Sequence, residues 1–216
     1  MKVIQVDRFI SDANDKDAAK LRADLKAKGV LLVNLMSSPG SGKTTFLSRT
    51  LKDLSDLRLA VMEADIASTV DAERIAALGA RSIQVHTGGM CHMDAGMTGA
   101  ALEGLGTDEL DVIFLENVGN LICPAEFDTG AHKNVMILSV PEGDDKPLKY
   151  PLMFEQSDVL IISKMDALPY FNFDLEKCRE RALRLNPNIK IFPVSAKTGD
   201  GMAAWENWLR DARQEL

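Results

Sequence analysis

The sequence predicts an α/β fold with a mostly parallel central sheet of about seven strands and helices on both faces. Short apolar runs alternate with stretches of helical length, and this alternation implies parallel strands joined by right-handed crossovers. The first run, Val30–Met36, is almost continuously apolar, which is typical of a strand that helices cover on both faces. With 216 residues and no internal repeat or Pro/Gly-rich linker, residues 1–216 are expected to form one domain.

The predicted elements follow one another regularly along the chain. Residues 1–29 form an N-terminal helical segment, in which Asp15–Lys28 places apolar side chains among charges and Gly29 ends the helix. The further strands are Leu59–Met62, Ser82–Val85, Val112–Leu115, Val135–Val140, Val159–Ile162 and Ile189–Phe192. The helices between them include Thr45–Leu54, Ala72–Leu78 and Leu175–Leu185.

Composition and charge exclude several functions. Hydrophobic residues make up 46% and charged residues 26% of the chain, which is typical of a globular protein. The formal net charge of −7 argues against a nucleic-acid-binding surface, because such a surface needs clustered cations. Met1–Ile10 lacks the apolar core of a signal peptide, and no apolar run is long enough to cross a membrane. Three widely spaced cysteines are expected to be thiols, so the predicted compartment is the cytoplasm.

A phosphate-binding motif follows the first predicted strand directly. Residues 37–45 read SSPGSGKTT and precede a helical stretch. Glycines let backbone N–H groups turn towards phosphates, and the helix N-terminus adds positive potential. Lys43 is expected to reach the β- and γ-phosphates, and Thr44 to bind Mg²⁺. The usual pattern has glycine where this chain has Ser37, so an ordinary turn before Lys-Thr is the alternative. The expected nucleotide-binding residues here are Gly40, Ser41, Gly42, Lys43, Thr44 and Thr45.

Two later strand ends predict that the base is guanine. Ser163-Lys164-Met165-Asp166 is similar to the N-K-x-D motif of GTP-binding proteins, with serine in place of asparagine. The aspartate accepts hydrogen bonds from donors that guanine has and adenine lacks. Ser195-Ala196-Lys197, after the last strand, resembles the loop that backs the guanine. The alternative is two solvated strand–loop junctions in an ATPase.

Cys91-His92 and Cys123 form a candidate metal site. They follow two different predicted strands, whose carboxyl ends share one edge of a parallel sheet. Thiolate and imidazole ligands suit Zn²⁺, Ni²⁺ or Cu rather than Mg²⁺. Three ligands leave a tetrahedral site incomplete, so a second chain or a water would complete it. The spacing alone leaves open that these cysteines are small buried hydrophobes.

The other cysteine and the other histidines are expected to be structural. Cys178 lies in Leu175–Leu185 at helical spacing from apolar residues, which favours core packing. His86 and His132 have no partner motif, so each is interpreted as a hydrogen-bonded structural histidine.

Together these motifs resemble the HypB family of hydrogenase nickel-insertion GTPases, in the SIMIBI class of P-loop GTPases that act as nucleotide-dependent dimers. The resemblance runs from about Val30 to the carboxyl end. It rests on strings that stand in family order: SSPGSGKTT, DAERI, TGGMCHMDA, ENVGNLICPAEFD, PEGDDKPLKYPLMF, ALPYFNFD and SAKTGDGM. It implies a P-loop NTPase that hydrolyses GTP to GDP and phosphate and handles nickel or zinc.

The resemblance also assigns residues. The family's Ni²⁺ or Zn²⁺ ligands fall on Cys91, His92 and Cys123, and its guanine recognition on Lys164 and Asp166. Only this internal metal site is expected, because residues 1–29 lack the Cys-rich or His-rich segment that many relatives carry.

Two acidic residues are expected to serve hydrolysis together with Lys43. Asp65 resembles the acidic group near Mg²⁺ or the attacking water, although a solvated strand-end carboxylate is the alternative. Glu116 occupies the family's nucleotide-sensing position, where it would act either as an indirect Mg²⁺ ligand or as a hinge.

The implied partners are a second copy of the chain, in a nucleotide- and metal-dependent homodimer, a zinc-containing maturation protein of the HypA family and the hydrogenase large-subunit precursor. Neither nucleic acid nor a membrane is expected. Two alternatives remain at this point. One is a metal-buffering protein with a vestigial nucleotide site. The other is a urease-type nickel-insertion GTPase, whose Cys-Pro-His string contrasts with Cys123-Pro124-Ala125.

Overall fold

The computed structural model describes residues 6–64, 75 and 78–216. The strands of these residues are β1 (Leu31–Ser37), β2 (Leu59–Glu63), β3 (Arg81–Gln84), β4 (Val112–Glu116), β5 (Lys133–Ser139), β6 (Val159–Ser163) and β7 (Lys190–Pro193). The α-helices are α1 (Val6–Ala27), α2 (Lys43–Asp53), α3 (Ala95–Leu105), α4 (Cys123–Glu126), α5 (Lys146–Lys149), α6 (Pro151–Glu155), α7 (Leu175–Leu185) and α8 (Met202–Gln214). Short 3₁₀ helices span Val140–Glu142 and Met165–Tyr170.

The described strands form one seven-stranded sheet in the order β3-β2-β4-β1-β5-β6-β7, and every neighbouring pair is parallel. The predicted α/β class is therefore confirmed, with a wholly rather than mostly parallel sheet. β1 lies at the centre, and all seven of its residues are buried. Because every strand runs in the same direction, the loops that follow β1, β4 and β6 leave from one edge. No described helix has the length and apolar character needed to span a membrane.

The N-terminal helix begins earlier than predicted. α1 starts at Val6, nine residues before Asp15. A polar residue such as Asn14 is a common helix cap, but here its side chain bridges two distant segments instead. Asn14 Nδ2 donates to the Asp128 carbonyl oxygen, and Asn14 Oδ1 accepts from the Ala95 N–H, both at 2.9 Å. Tertiary contacts thus decide where this helix lies.

The other predicted elements agree with the structure to within one or two residues. The predicted helix Ala72–Leu78 falls on a stretch of which the structure describes only Ile75 and Leu78. The sequence did not indicate α8, which packs Trp205 on Phe46 with ring centroids 5.3 Å apart. His132 is structural as predicted, since Nδ1 accepts from the Leu32 N–H at 3.0 Å.

Asp111, directly before β4, ties the sheet to two arginines. Its carboxylate accepts from Arg58 Nε at 2.9 Å and from Arg213 Nη2 at 2.7 Å. These partners, above all the Arg58 hydrogen bond, lower the pKa of Asp111 to about 2. An aspartate in the unfolded chain has a pKa of about 3.9. The pairing therefore stabilises the fold fully above about pH 4, and that contribution is lost as the pH falls towards about 2.

We expect Asp111→Asn to lower the free energy of unfolding at neutral pH by about 1–2 kcal/mol, after allowance for the solvent that reaches the arginines. Urea unfolding of both proteins at about pH 7 and about pH 3 measures the difference, which should shrink at the lower pH. A loss of the same size at both pH values would contradict this account.

Candidate nucleotide and metal sites

The phosphate loop leaves β1 at the carboxyl edge of the sheet and runs into α2. The helix begins at Lys43, two residues before the predicted start. Gly40 and Gly42 have φ angles of +74° and +94°, which residues with a side chain rarely adopt. Glycine-rich turns of this kind let consecutive N–H groups line an anion-binding concavity. Lys43 is 5% exposed at the start of the helix, so its position fits a phosphate-binding role.

Oxygen ligands gather beside this loop. Thr44 Oγ1 donates to Glu116 Oε1 at 3.1 Å. Glu116 is the last residue of β4 and lies in register with Glu63 of β2, and both carboxylates are buried. Hydroxyl and carboxylate oxygens are the donors that Mg²⁺ prefers, so Thr44 and Glu116 fit a magnesium ion bound with the nucleotide. Asp65 lies outside the described residues, and its predicted role stays a prediction.

The segment predicted to read the base is fastened to the phosphate loop. Ser163 Oγ donates to the Ser41 carbonyl oxygen and Lys164 Nζ to the Gly40 carbonyl oxygen, each at 2.7 Å. Ser163, which stands where asparagine is usual, is thus hydrogen-bonded to the phosphate loop. Asp166 Oδ1 accepts from Ser195 Oγ at 2.8 Å. The two motifs that the sequence placed 29 residues apart therefore meet through this hydrogen bond.

Arg49 of α2 supports the loop of residues 195–197, and sequence reasoning missed it. Arg49 Nη1 donates to the Ala196 carbonyl oxygen at 3.4 Å, and its Nε pairs with Asp53 one turn along the helix. Long charged side chains usually cover the solvated face of a helix, so no sequence signal marked this arginine. It links the helix that starts at the phosphates to the loop expected behind the base.

We expect Arg49→Met to weaken GTP binding by roughly two- to tenfold, because one long hydrogen bond to the loop is lost. Fluorescence competition with a labelled GDP measures this. Arg184→Met is the matched control, since Arg184 is an exposed arginine whose ion pair is with Glu180 on α7. Unchanged binding in Arg49→Met would show that the loop does not depend on this contact.

Cys91, His92 and Cys123 come together as the sequence predicted. Their ligand atoms all lie within 4.8 Å of one another, and Cys91 Sγ is 3.8 Å from His92 Nδ1. With metal–ligand bonds of 2.0–2.3 Å, tetrahedral ligand atoms lie about 3.5 Å apart, so a small closure would suffice. Cys91 and His92 precede α3, and Cys123 begins α4. Phe127, which the sequence did not single out, stacks on the His92 ring with centroids 3.8 Å apart.

The local chemistry separates these cysteines from a core cysteine. Burial raises the pKa of Cys178 to about 12, and this residue is fully buried, so its predicted packing role is confirmed. Cys91 is exposed, and hydrogen bonding to Cys123 is the main cause that raises its pKa. Burial lowers the pKa of His92, which favours the neutral imidazole that binds metals. A small buried hydrophobe therefore describes Cys178 but not Cys91.

Comparisons with known proteins agree with this arrangement. The model of the CobW/HypB/UreG nucleotide-binding domain family matches residues 3–193. The chain is 49% identical over 209 residues to the hydrogenase maturation factor HypB of Rhizobium leguminosarum bv. viciae, covering 96% of this chain and 70% of that protein.

Two solved structures are similar as well. The HypB structure from Archaeoglobus fulgidus superposes with a TM-score of 0.88 at 35% identity, covering 94% of this chain and 99% of that one. The HypB structure from Helicobacter pylori in complex with nickel gives a TM-score of 0.87 at 40% identity, with coverages of 94% and 96%. The chain therefore belongs to the HypB family of hydrogenase maturation factors and carries its nucleotide-binding domain.

Proposed function

We propose that this chain is a GTP-hydrolysing metallochaperone that binds Ni²⁺ or Zn²⁺ at Cys91, His92 and Cys123 and assists nickel insertion into a hydrogenase. The observation that carries the proposal is the closeness of three soft or borderline ligands within 4.8 Å. Metal cargo must also be released, so a site with an exposed ligand such as Cys91 suits transfer better than storage. The HypB relative from Helicobacter pylori was solved in complex with nickel, which supports nickel as the metal.

Hydrolysis follows from the residues around the phosphate loop. Lys43 stabilises the charge that develops on the β- and γ-phosphates, and the loop N–H groups hold these phosphates in place. Mg²⁺, held by Thr44 and indirectly by Glu116, would neutralise charge on the same oxygens. Asp166, oriented by Ser195, selects guanine. Catalysis of this kind depends on positioning and electrostatics, and no side chain has to form a covalent bond.

A second copy of the chain completes the metal site in this proposal. One chain offers three ligands, whereas tetrahedral Zn²⁺ and square-planar Ni²⁺ usually take four. Ligands shared across a two-fold axis supply the remainder. The homodimer would pass nickel between a zinc-containing protein of the HypA family and the hydrogenase large-subunit precursor. Because the two copies share the metal ligands, dimerisation is expected to depend on metal as well as on nucleotide.

The decisive experiment titrates Ni²⁺ and Zn²⁺ into the GDP-bound and the GTP-analogue-bound protein while light scattering follows the mass. We expect affinities that differ between the two nucleotide states, and by linkage the preference for the GTP analogue over GDP must change by the same factor when metal binds. Thiolate ligands must lose protons to bind, so the affinity should fall as the pH drops below about 7. Equal affinities in both states would contradict the proposed switch.

Two variants serve as a matched pair in this titration. Cys123→Ala removes a ligand and is expected to weaken nickel binding at least about tenfold, whereas Cys178→Ala alters a thiol of the core and should leave binding unchanged. Undiminished nickel binding in Cys123→Ala would overturn the assigned site. Metal binding without measurable GTP turnover would favour a metal buffer instead.

A further inference from the structure

We propose that Asn117 is the positioning residue that transmits the nucleotide state to the metal ligands. The inference rests on the proposed function and names the side chain that carries its coupling. Asn117 follows Glu116 directly and is fully buried. Its side chain reaches from the end of β4 to the segment that carries Cys91 and His92. Asn117 therefore lies between the nucleotide site and the metal site.

On the metal side, Asn117 holds the backbone beside His92. Asn117 Oδ1 accepts from the Met93 N–H at 3.2 Å and also from the Val118 N–H at 2.9 Å. Met93 is fully buried and adjoins His92 in the chain. A shift of the Asn117 amide group therefore pulls on the peptide that positions the imidazole.

On the nucleotide side, Asn117 is fixed to the sheet next to the phosphate loop. Its N–H donates to the Leu35 carbonyl oxygen and its Nδ2 to Asn34 Oδ1, both at 3.0 Å. Two residues later, a methyl group on Gly119 would lie 3.1 Å from Pro39 Cγ, so the backbone there already touches the phosphate loop. A movement of Pro39 on nucleotide exchange would therefore be passed to Gly119, and a movement of Glu116 would be passed to Asn117.

The same loop also contacts the segment that carries Cys123. Asn120 Oδ1 accepts from the Ile122 N–H at 2.9 Å, and Asn120 Nδ2 lies 3.5 Å from the Cys91 carbonyl oxygen. Residues 117–120 therefore lie between the ligand-bearing segments and contact both. Metal–ligand distances tolerate deviations of only about 0.2 Å, so small displacements of this loop change affinity.

Asparagine suits this task because the position needs both an acceptor and a donor. Asn117 Oδ1 accepts from two backbone N–H groups, while Asn117 Nδ2 donates to Asn34 Oδ1. Alanine would leave the Met93 N–H without this partner in a buried place. If Asn117 has a purely structural role, Asn117→Ala should only lower the stability of the fold. If Asn117 couples the two sites, the variant's affinity for metal should no longer depend on the bound nucleotide.

The test measures Ni²⁺ affinity in the GDP-bound and GTP-analogue-bound states of the parent, Asn117→Ala and Asn134→Ala. We expect the parent to show a ratio of about fivefold or more, and Asn117→Ala a ratio within about twofold of one. Asn134→Ala is the structural control, because the half-buried Asn134 accepts at Oδ1 from Asn34 Nδ2, while Asn117 contacts the Oδ1 atom of the same Asn34 side chain. Its ratio should match the parent's.

The outcomes separate the two proposals. A parent ratio of one would overturn both the proposed function and this inference. A parent ratio that survives in Asn117→Ala, or is lost equally in Asn134→Ala, would overturn the inference alone. If Asn117→Ala does not fold, the inference is tested by NMR on the ¹⁵N-labelled, metal-free parent, in which the amide resonance of Met93 is followed. It should shift when GDP is replaced by the GTP analogue, and an unchanged resonance would overturn the inference.

Discussion

Replacing Lys43 by alanine is expected to lower GTP turnover by at least about a hundredfold. The change removes a positive charge that is preorganised against the charge developing on the transferred phosphoryl group, and loss of one such donor commonly costs that much. The structure places Lys43 at the first position of α2, 5% exposed, where solvent screens its charge little. Water cannot replace this cation effectively, so the loss should fall mainly on the rate of the chemical step.

Single-turnover hydrolysis with saturating GTP measures that rate apart from binding. Lys52→Ala is the matched control, because Lys52 is an exposed lysine in the last turn of the same helix. Circular dichroism checks that both variants retain the fold. Turnover of Lys43→Ala within twofold of the parent would refute the assignment of residues 37–45 as the phosphate loop.

The fold was predictable because the inner strands of its sheet are strongly apolar, as β1 and β4 show. A strand such as β6, with five buried residues in a row, has few alternatives to the middle of a covered parallel sheet. Helix ends were less certain, as α1 shows. The predicted start at Asp15 overlooked Val6, Phe9, Ile10 and Ala13, which stand at helical spacing. The Asn14 side chain has partners more than eighty residues away instead of capping a helix.

The candidate site was predictable where chemistry demands particular residue types. Cys91, His92 and Cys123 carry ligand atoms, and Lys43 stands in a recognisable string. The residues that support them were missed because their roles arise from tertiary contacts. Phe127 acts by stacking on His92 and Arg49 by reaching Ala196, and neither contact has a local sequence pattern. The string ENVGN did contain a signal, because Asn117 is a polar residue directly after a buried strand. Such a side chain needs a hydrogen-bond partner inside the protein.

The second large effect is expected at the base. Asp166→Asn should weaken GTP by at least about a hundredfold and favour xanthosine triphosphate, because a carboxylate that accepts two guanine hydrogen bonds is lost. Xanthine presents an oxygen acceptor where guanine presents its 2-amino donor, so the new amide N–H₂ group has a partner in XTP. The variant should therefore exchange its preference rather than lose all binding.

The Ser195 contact explains why asparagine is the informative replacement. Ser195 Oγ donates to Asp166 Oδ1 at 2.8 Å, and an asparagine can keep its own oxygen in that place. Its amide nitrogen then faces the base, so the exchange of donor and acceptor occurs where recognition needs it. Alanine would remove both the recognition group and the contact, and could not separate base selection from loss of the loop.

Competition binding with GTP, XTP and ATP measures the exchange of preference. Asp200→Asn is the matched control, because Asp200 lies in the same loop as Ser195 and its carboxylate accepts from Thr198 Oγ1 at 2.7 Å. The control should keep the parent's preference for GTP, since its carboxylate serves the loop. Ser195→Ala should give an intermediate result, with GTP weakened but still preferred, because Asp166 keeps its charge and loses one orienting hydrogen bond. If Asp166→Asn prefers GTP over XTP by the parent's margin, guanine selection must lie elsewhere, and Asp166 would then serve the loop of residues 195–197 alone.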